Sequence, residues 1–159
     1  LAHFIRTPLS SDYCKFSVLI SVATSFPGWN VIEMWETSNI PPDFYTKHMT
    51  DPENYDFNIP PGMARFGTMK MPPIKELLAH QERLGNKVNV KTFGMHRTDT
   101  IDYDILLSGE ITLILEDGAE KTLQPGDCVV LRGAQHAWHN RGTEPCYMAW
   151  VLIGAEPLK

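Results

Sequence analysis

From Val88 onward the chain is a succession of short apolar or β-branched runs, each closed by Gly, Asp or Asn, and this spacing constrains the fold more than any other feature. The runs are Val88–Gly94, Ile101–Leu107, Ile111–Leu115, Lys121–Leu123, Cys128–Leu131, Gln135–His139 and Cys146–Ile153. Short strands at even spacing with turn residues between them predict an all-β sandwich or small barrel. Upstream, Lys15–Val22, Asn30–Thr37 and Arg65–Met71 also read as strands, with Pro27-Gly28 as a turn. Ile40 to Pro61 contains Pro41-Pro42, Asp51-Pro52 and Pro60-Pro61 and reads as a long surface loop. One helix is expected in PPIKELLAHQERLGN. There Pro73 suits the first turn, Ile74, Leu77, Leu78 and Leu84 form one stripe, and Gly85 stands where a left-handed residue ends a helix.

Two polar clusters joined by a hairpin lie inside this β-rich half. The first holds His96, Thr98 and the Asp102-Tyr103-Asp104 triplet; the second runs from Pro125-Gly126-Asp127 to His136, Trp138, His139 and Asn140. Alternate residues of a strand share a face, so Asp102 and Asp104 are expected to point inward together, with Cα atoms about 6.6 Å apart. By the same rule His96 pairs with Thr98, and His136 with Trp138 and Asn140. His139 then faces outward, as a surface or interface residue. Two carboxylates in an apolar barrel raise one another's pKa, and an opposing histidine is expected to be drawn toward the imidazolium. An acid and a base near neutral pH suit proton abstraction beside a carbonyl and loss of water or carbon dioxide.

Plainer roles compete for each residue. His96 could be satisfied by a backbone carbonyl and Asp102 by a turn amide. A one-residue bulge would turn Asp104 outward. Trp138 serves equally as wall packing or as a stacking platform. Arg65 could clamp a substrate carboxylate or sit in a solvated salt bridge. Met69, Met71, Met148 and Trp150 read as pocket lining or core.

The two clusters resemble the paired motifs of the cupin superfamily, double-stranded β-helix (jelly-roll) barrels. His96 matches the first His of the first motif, Thr98 stands at its second His, Asp102 at its Glu, and Gly109 at its Gly. Gly126, Asp127, His136 and Asn140 match the second motif, with Arg132-Gly133 in place of the usual Pro-x-Gly. The resemblance implies a single cupin domain over 1–159, its motif-bearing barrel over about 88–153, with N-terminal strands, loop and helix in 1–87. It also implies likeness to stand-alone cupins that tailor polyketides and other secondary metabolites. A full cupin metal centre has three His and one Glu; here only His96, His136 and Asp102 are available. Asp is shorter than Glu by about 1.5 Å, one C–C bond.

Three readings follow. The first is a lyase acting by general acid–base chemistry, without a cofactor, on a small carbonyl-bearing or aromatic metabolite. Its catalytic residues are His96, Asp102 and His136, and its pocket is lined by Arg65, Thr98, Asp104, Trp138, Met148 and Trp150. The second is a dioxygenase or isomerase with Fe, Zn or Mn held by His96, Asp102 and His136. The third is a binding module without turnover. A net charge of −5 with no Lys/Arg run excludes a nucleic-acid footprint, and no apolar stretch is long enough to span a bilayer. Cys14, Cys128 and Cys146 are odd in number and read as reduced packing thiols of a cytoplasmic protein. Val18, Ile20, Trp29, Ile32 and Trp35 are more apolar surface than a small barrel buries, so a homodimer is expected.

Overall fold

The computed structural model of the chain describes residues 20–23, 27–37, 41 and 55–158. Among the described residues, strands and one helix follow in the order β1 (Ile20–Ala23), β2 (Asn30–Thr37), β3 (Ala64–Met71), α1 (Ile74–Arg83), β4 (Thr100–Ser108), β5 (Ile111–Leu115), β6 (Glu120–Leu123), β7 (Cys128–Arg132), β8 (His136–His139) and β9 (Cys146–Gly154). A six-stranded sheet has the order β1-β2-β3-β9-β4-β7, and a three-stranded sheet the order β6-β5-β8. All pairings are antiparallel, as expected of a jelly roll. The expected strands at Asn30–Thr37 and Ile111–Leu115 have these same bounds here, and most others shift by one residue. Of Lys15–Val22, the part before Ile20 lies outside the described residues, as do Ile40 and residues 42–54 of the expected loop.

The core is built where inward positions of β3, β4 and β9 meet: Met69, Met71, Leu106, Met148, Trp150 and Leu152 are buried together. The end of the long loop closes this core. Ile59 is buried in it, Phe57 sets its ring edge-on to Trp150 at 6.3 Å, and Gly62 and Met63 exchange backbone bonds with Gly154. That crossing is tight, since a Cβ on Gly154 would lie 2.0 Å from the Pro60 carbonyl oxygen.

The helix ends as expected. Gly85 has φ 78°, and Asn86 N–H donates to Gln81 O at 3.0 Å while Gly85 N–H donates to Glu82 O at 2.9 Å, a Schellman closure. Its stripe is narrower than expected: Leu77 is buried, but Leu84 lies past the last turn and is 60% exposed. No side chain caps its N-terminus; instead Ile74 N–H donates to the Asn140 carbonyl at 2.7 Å.

Val88–Gly94 is not a strand. Asn89 takes the backbone instead: its side chain accepts from Lys91 N–H at 3.0 Å and its carbonyl from Thr92 N–H at 3.1 Å, winding the segment into turns.

Asn140 ties three elements together. Its buried amide donates to Met71 O at 3.1 Å and Glu144 O at 2.9 Å, and its Oδ1 accepts from Gly142 N–H at 2.9 Å. Its motif position therefore serves the fold and not the pocket. Asn140→Ala, which removes a donor from the buried Met71 carbonyl and the part-buried bonds to Glu144 and Gly142, is expected to lower stability by about 2–3 kcal/mol in urea melts.

Candidate functional site

Strand β4 alternates cleanly. Asp102, Asp104 and Leu106 are buried, while Tyr103, Ile105 and Leu107 are exposed. The bulge that would have turned Asp104 outward lies further on, between Leu106 and Ser108. In register on β9, Leu152 stands beside Asp102, Trp150 beside Asp104 and Met148 beside Leu106. Met148 and Trp150 thus form the apolar wall next to the two acids and belong to the core. Trp150 Nε1 is buried with no hydrogen-bond partner among the described residues.

His96 and His136 are joined by an isolated antiparallel bridge, with His96 N–H to His136 O at 2.9 Å and the reverse bond at 2.8 Å. Their ring centroids are 4.4 Å apart, and the edge of Trp138, half-buried, meets the His136 ring at 5.9 Å. His136 is buried, but His96 is exposed, against the expectation that both rings lie inside the barrel. Each ring directs Nδ1 to a carbonyl two residues back, His96 to Gly94 O and His136 to Ala134 O, both at 2.8 Å. A carbonyl only accepts, so neutral His carries its proton on Nδ1 and keeps Nε2 as the basic nitrogen.

The electrostatics differ from expectation in one respect. Burial pushes the Asp104 carboxyl up to about 7, with the neighbouring Asp102 adding to the effect. Asp102 is raised by burial as well, opposed by hydrogen bonding from Thr100, by the nearby His96 and by Thr98. His136, however, is not drawn toward the imidazolium. Burial holds it down at about 4, outweighing the Ala134 carbonyl that favours its charged form. At neutral pH the interior therefore holds a neutral imidazole and a carboxyl near its titration midpoint.

Thr98 is buried where the cupin pattern has its second His. Its hydroxyl lies 2.7 Å from that of Thr100, which donates to Asp102. Thr100 was not singled out by sequence, although its place two residues before Asp102 puts it on the same strand face.

Arg65 is not a solvated pair: it is held by internal partners of its own chain. Its Nε lies 2.8 Å from Glu36 and 3.5 Å from Glu33, a terminal nitrogen donates to Asp56 O, and its guanidinium rests over the Tyr55 ring at 5.3 Å. Both glutamates are buried, at 0% and 2% exposure. A bulge in β2 between Glu33 and Trp35 brings Glu33 and Glu36 to one face, where strict alternation would send them to opposite ones. His139 is likewise buried, against expectation, because the 88–95 turns cover it and its Nε2 pairs with Phe93 O at 2.8 Å. Cys128 is exposed rather than packed; Cys146 is buried, and burial pushes its thiol up to about 11.

The cupin resemblance implies a metal centre, and the residues present do not fit one. Among the described residues no three His, Cys, Asp or Glu side chains converge closely enough to hold a metal ion. The carboxylate is the shorter Asp102, held by Thr100, and the remaining position is a hydroxyl.

Residues 88–152 match the family model described as "Cupin domain". Over 67 residues the chain is 42% identical to a protein of Hypocrea virens named "Cupin-domain-containing oxidoreductase virC", covering 40% of this chain and 34% of that protein. Over 66 residues it is 44% identical to "Phomopsin biosynthesis cluster protein C'" of Diaporthe leptostromiformis, covering 41% of this chain and 35% of that protein. The match thus spans about a third of these relatives' length. A cupin superfamily protein of Desulfitobacterium hafniense has a solved structure similar to 57% of this chain and 67% of its own, at 12% identity and a TM-score of 0.41. Among the described residues no helix is long and apolar enough to cross a membrane.

Proposed function

We propose that this chain, whose residues 88–152 match the cupin domain model, is a lyase of secondary metabolism that moves protons on a small carbonyl-bearing metabolite at the barrel interior. The observation that carries this reading is the burial of Asp104 beside Asp102, which leaves a proton on the pair near neutral pH. In this scheme Asp104 is the general acid and oxyanion donor, and neutral His136 takes the substrate proton at Nε2. Asp102 keeps the Asp104 proton in place, Thr100 positions Asp102, and His96 meets the incoming molecule at the mouth. The relatives' names supply the setting, since one belongs to a biosynthesis cluster.

The test is proton exchange in heavy water with a panel of small aryl ketones and β-hydroxy ketones, followed by NMR. Exchange at the carbon beside the carbonyl, or loss of water, is expected with the wild type and not with Asp104→Asn. Binding without either change would favour the binding module. A second reading, redox chemistry, is favoured by the relative named an oxidoreductase. A product of altered oxidation level in the same samples would select it.

A further inference from the structure

Resting on the acid–base reading above, we propose that the hydroxyls of Thr98 and Thr100 relay protons between solvent and the buried Asp102–Asp104 pair, with Thr100 as the swivel. Thr98, Thr100, Asp102 and Asp104 occupy every second position and are buried, at 7%, 2%, 6% and 5% exposure. His96, two residues before Thr98, is exposed. A line of hydrogen-bonding side chains therefore runs from the surface to the acids. In the sheet the acids have apolar neighbours on either side. Leu131 and Leu152 flank Asp102, Val129 and Trp150 flank Asp104, and Leu106 comes next along the strand. Thr100 and Thr98 continue the polar line in the other direction. Valine has the shape of threonine and suits a buried strand position better, so two successive hydroxyls here carry a desolvation cost that a purely structural wall avoids.

Donor counting makes Thr100 the swivel. Its hydroxyl is placed to donate to Thr98 Oγ1 at 2.7 Å and to Asp102 Oδ1, yet it has one proton. With Asp102 ionised, that proton turns to the carboxylate. With Asp102 protonated, the acid donates to Thr100 and the Thr100 proton turns to Thr98. The two orientations are the two ends of a transfer. In the proposed reaction, loss of water from a β-hydroxy ketone takes the Asp104 proton away with the departing hydroxyl, while His136 holds the proton from carbon. His136 returns its proton to solvent, and the acids need one back. A solvent proton enters at Thr98 Oγ1 as the Thr98 proton passes to Thr100 and the Thr100 proton to Asp102 Oδ1. Each hydroxyl ends with one proton and Asp102 gains one. A bridging water passes it on to Asp104, two residues away and about 6.6 Å between Cα atoms.

Exchange of the Thr100 hydroxyl proton with water, measured by NMR on the isotope-labelled full chain without substrate, reads the relay directly. Thr98→Val should slow this exchange by about tenfold or more, leaving local opening of the strand as the remaining path, while Thr98→Ser keeps the wild-type rate. Thr98→Cys, a weak donor of similar size, repeats the test if the valine variant does not fold. With the β-hydroxy ketones, the ratio of steady-state rate to first-turnover rate should fall about tenfold in Thr98→Val and not in Thr98→Ser. The relay is overturned if the Thr100 hydroxyl exchanges as fast in Thr98→Val as in the wild type, or as slowly in Thr98→Ser as in Thr98→Val. A wild type that turns over no ketone sinks the lyase instead, and the hydroxyl measurement still decides the relay.

Discussion

Asp104→Asn is expected to reduce turnover by about 10²–10⁴-fold while making the protein more stable at neutral and alkaline pH. The two effects share one cause. The Asp104 carboxyl titrates at about 7 in the folded chain against 3.8 when unperturbed, so folding works against its ionisation by up to about 4 kcal/mol. The sign is that of a raised acid: its contribution is fully present below pH 3.8 and is lost as pH rises to about 7. His136 has the opposite sense. Its folded value of about 4 lies below 6.5, so its contribution is present above pH 6.5 and lost as pH falls toward 4. Between those limits the folded chain holds a protonated acid and a neutral imidazole, and the unfolded chain the reverse. The proton counts match, and the two slopes nearly cancel. Urea melts at several pH values should therefore show a more positive slope between pH 4 and 6.5 in Asp104→Asn than in the wild type, with Asp102 opposing the His136 rise in both. In His136→Gln stability should fall over the same range, with Asp102 adding to that fall. Equal slopes in the two variants would refute the assignment. The activity profile should rise near 4 and fall near 7, apparent values that belong to the coupled acids and not to one residue.

Gly67→Ala is expected to cost about 3–5 kcal/mol, although it adds a single methyl group. Gly67 lies between Glu33 on β2 and Trp150 on β9. A Cβ there would fall 2.4 Å from Trp150 Cζ2 and 2.5 Å from the carbonyl oxygen of Ile32. Shrinking Trp150 does not rescue the variant, because the second contact is to backbone that holds the β2–β3 ladder. A Gly67→Ala protein as stable as the wild type would mean that the register across β2, β3 and β9 is wrong.

The fold is legible in the residues where one period governs a whole element. The alternation of TIDYDILLS set both acids inward, and the Pro73 and Gly85 signals bracketed the helix. Legibility ends where a local event breaks the period. The β2 bulge hid the shared face of Glu33 and Glu36, and with it the internal partners of Arg65. Asn89 turned an apolar run into a coil of turns, and those turns then buried His139. The protonation of His136 departs from the expected imidazolium for a different reason. Attraction to carboxylates is visible from residue types, but desolvation depends on how completely the fold closes around the ring.

Strand β4 serves two environments at once, with carboxyls on its buried side and Tyr103, Ile105 and Leu107 on its exposed side. Deleting one residue at its start would shift the phase of the whole strand, sending Tyr103 and Ile105 into the barrel and both acids into the water. Such a deletion would exchange the buried and exposed faces along the whole strand in a single step, so a length change in the loop before it costs far more than a substitution at one of its exposed positions.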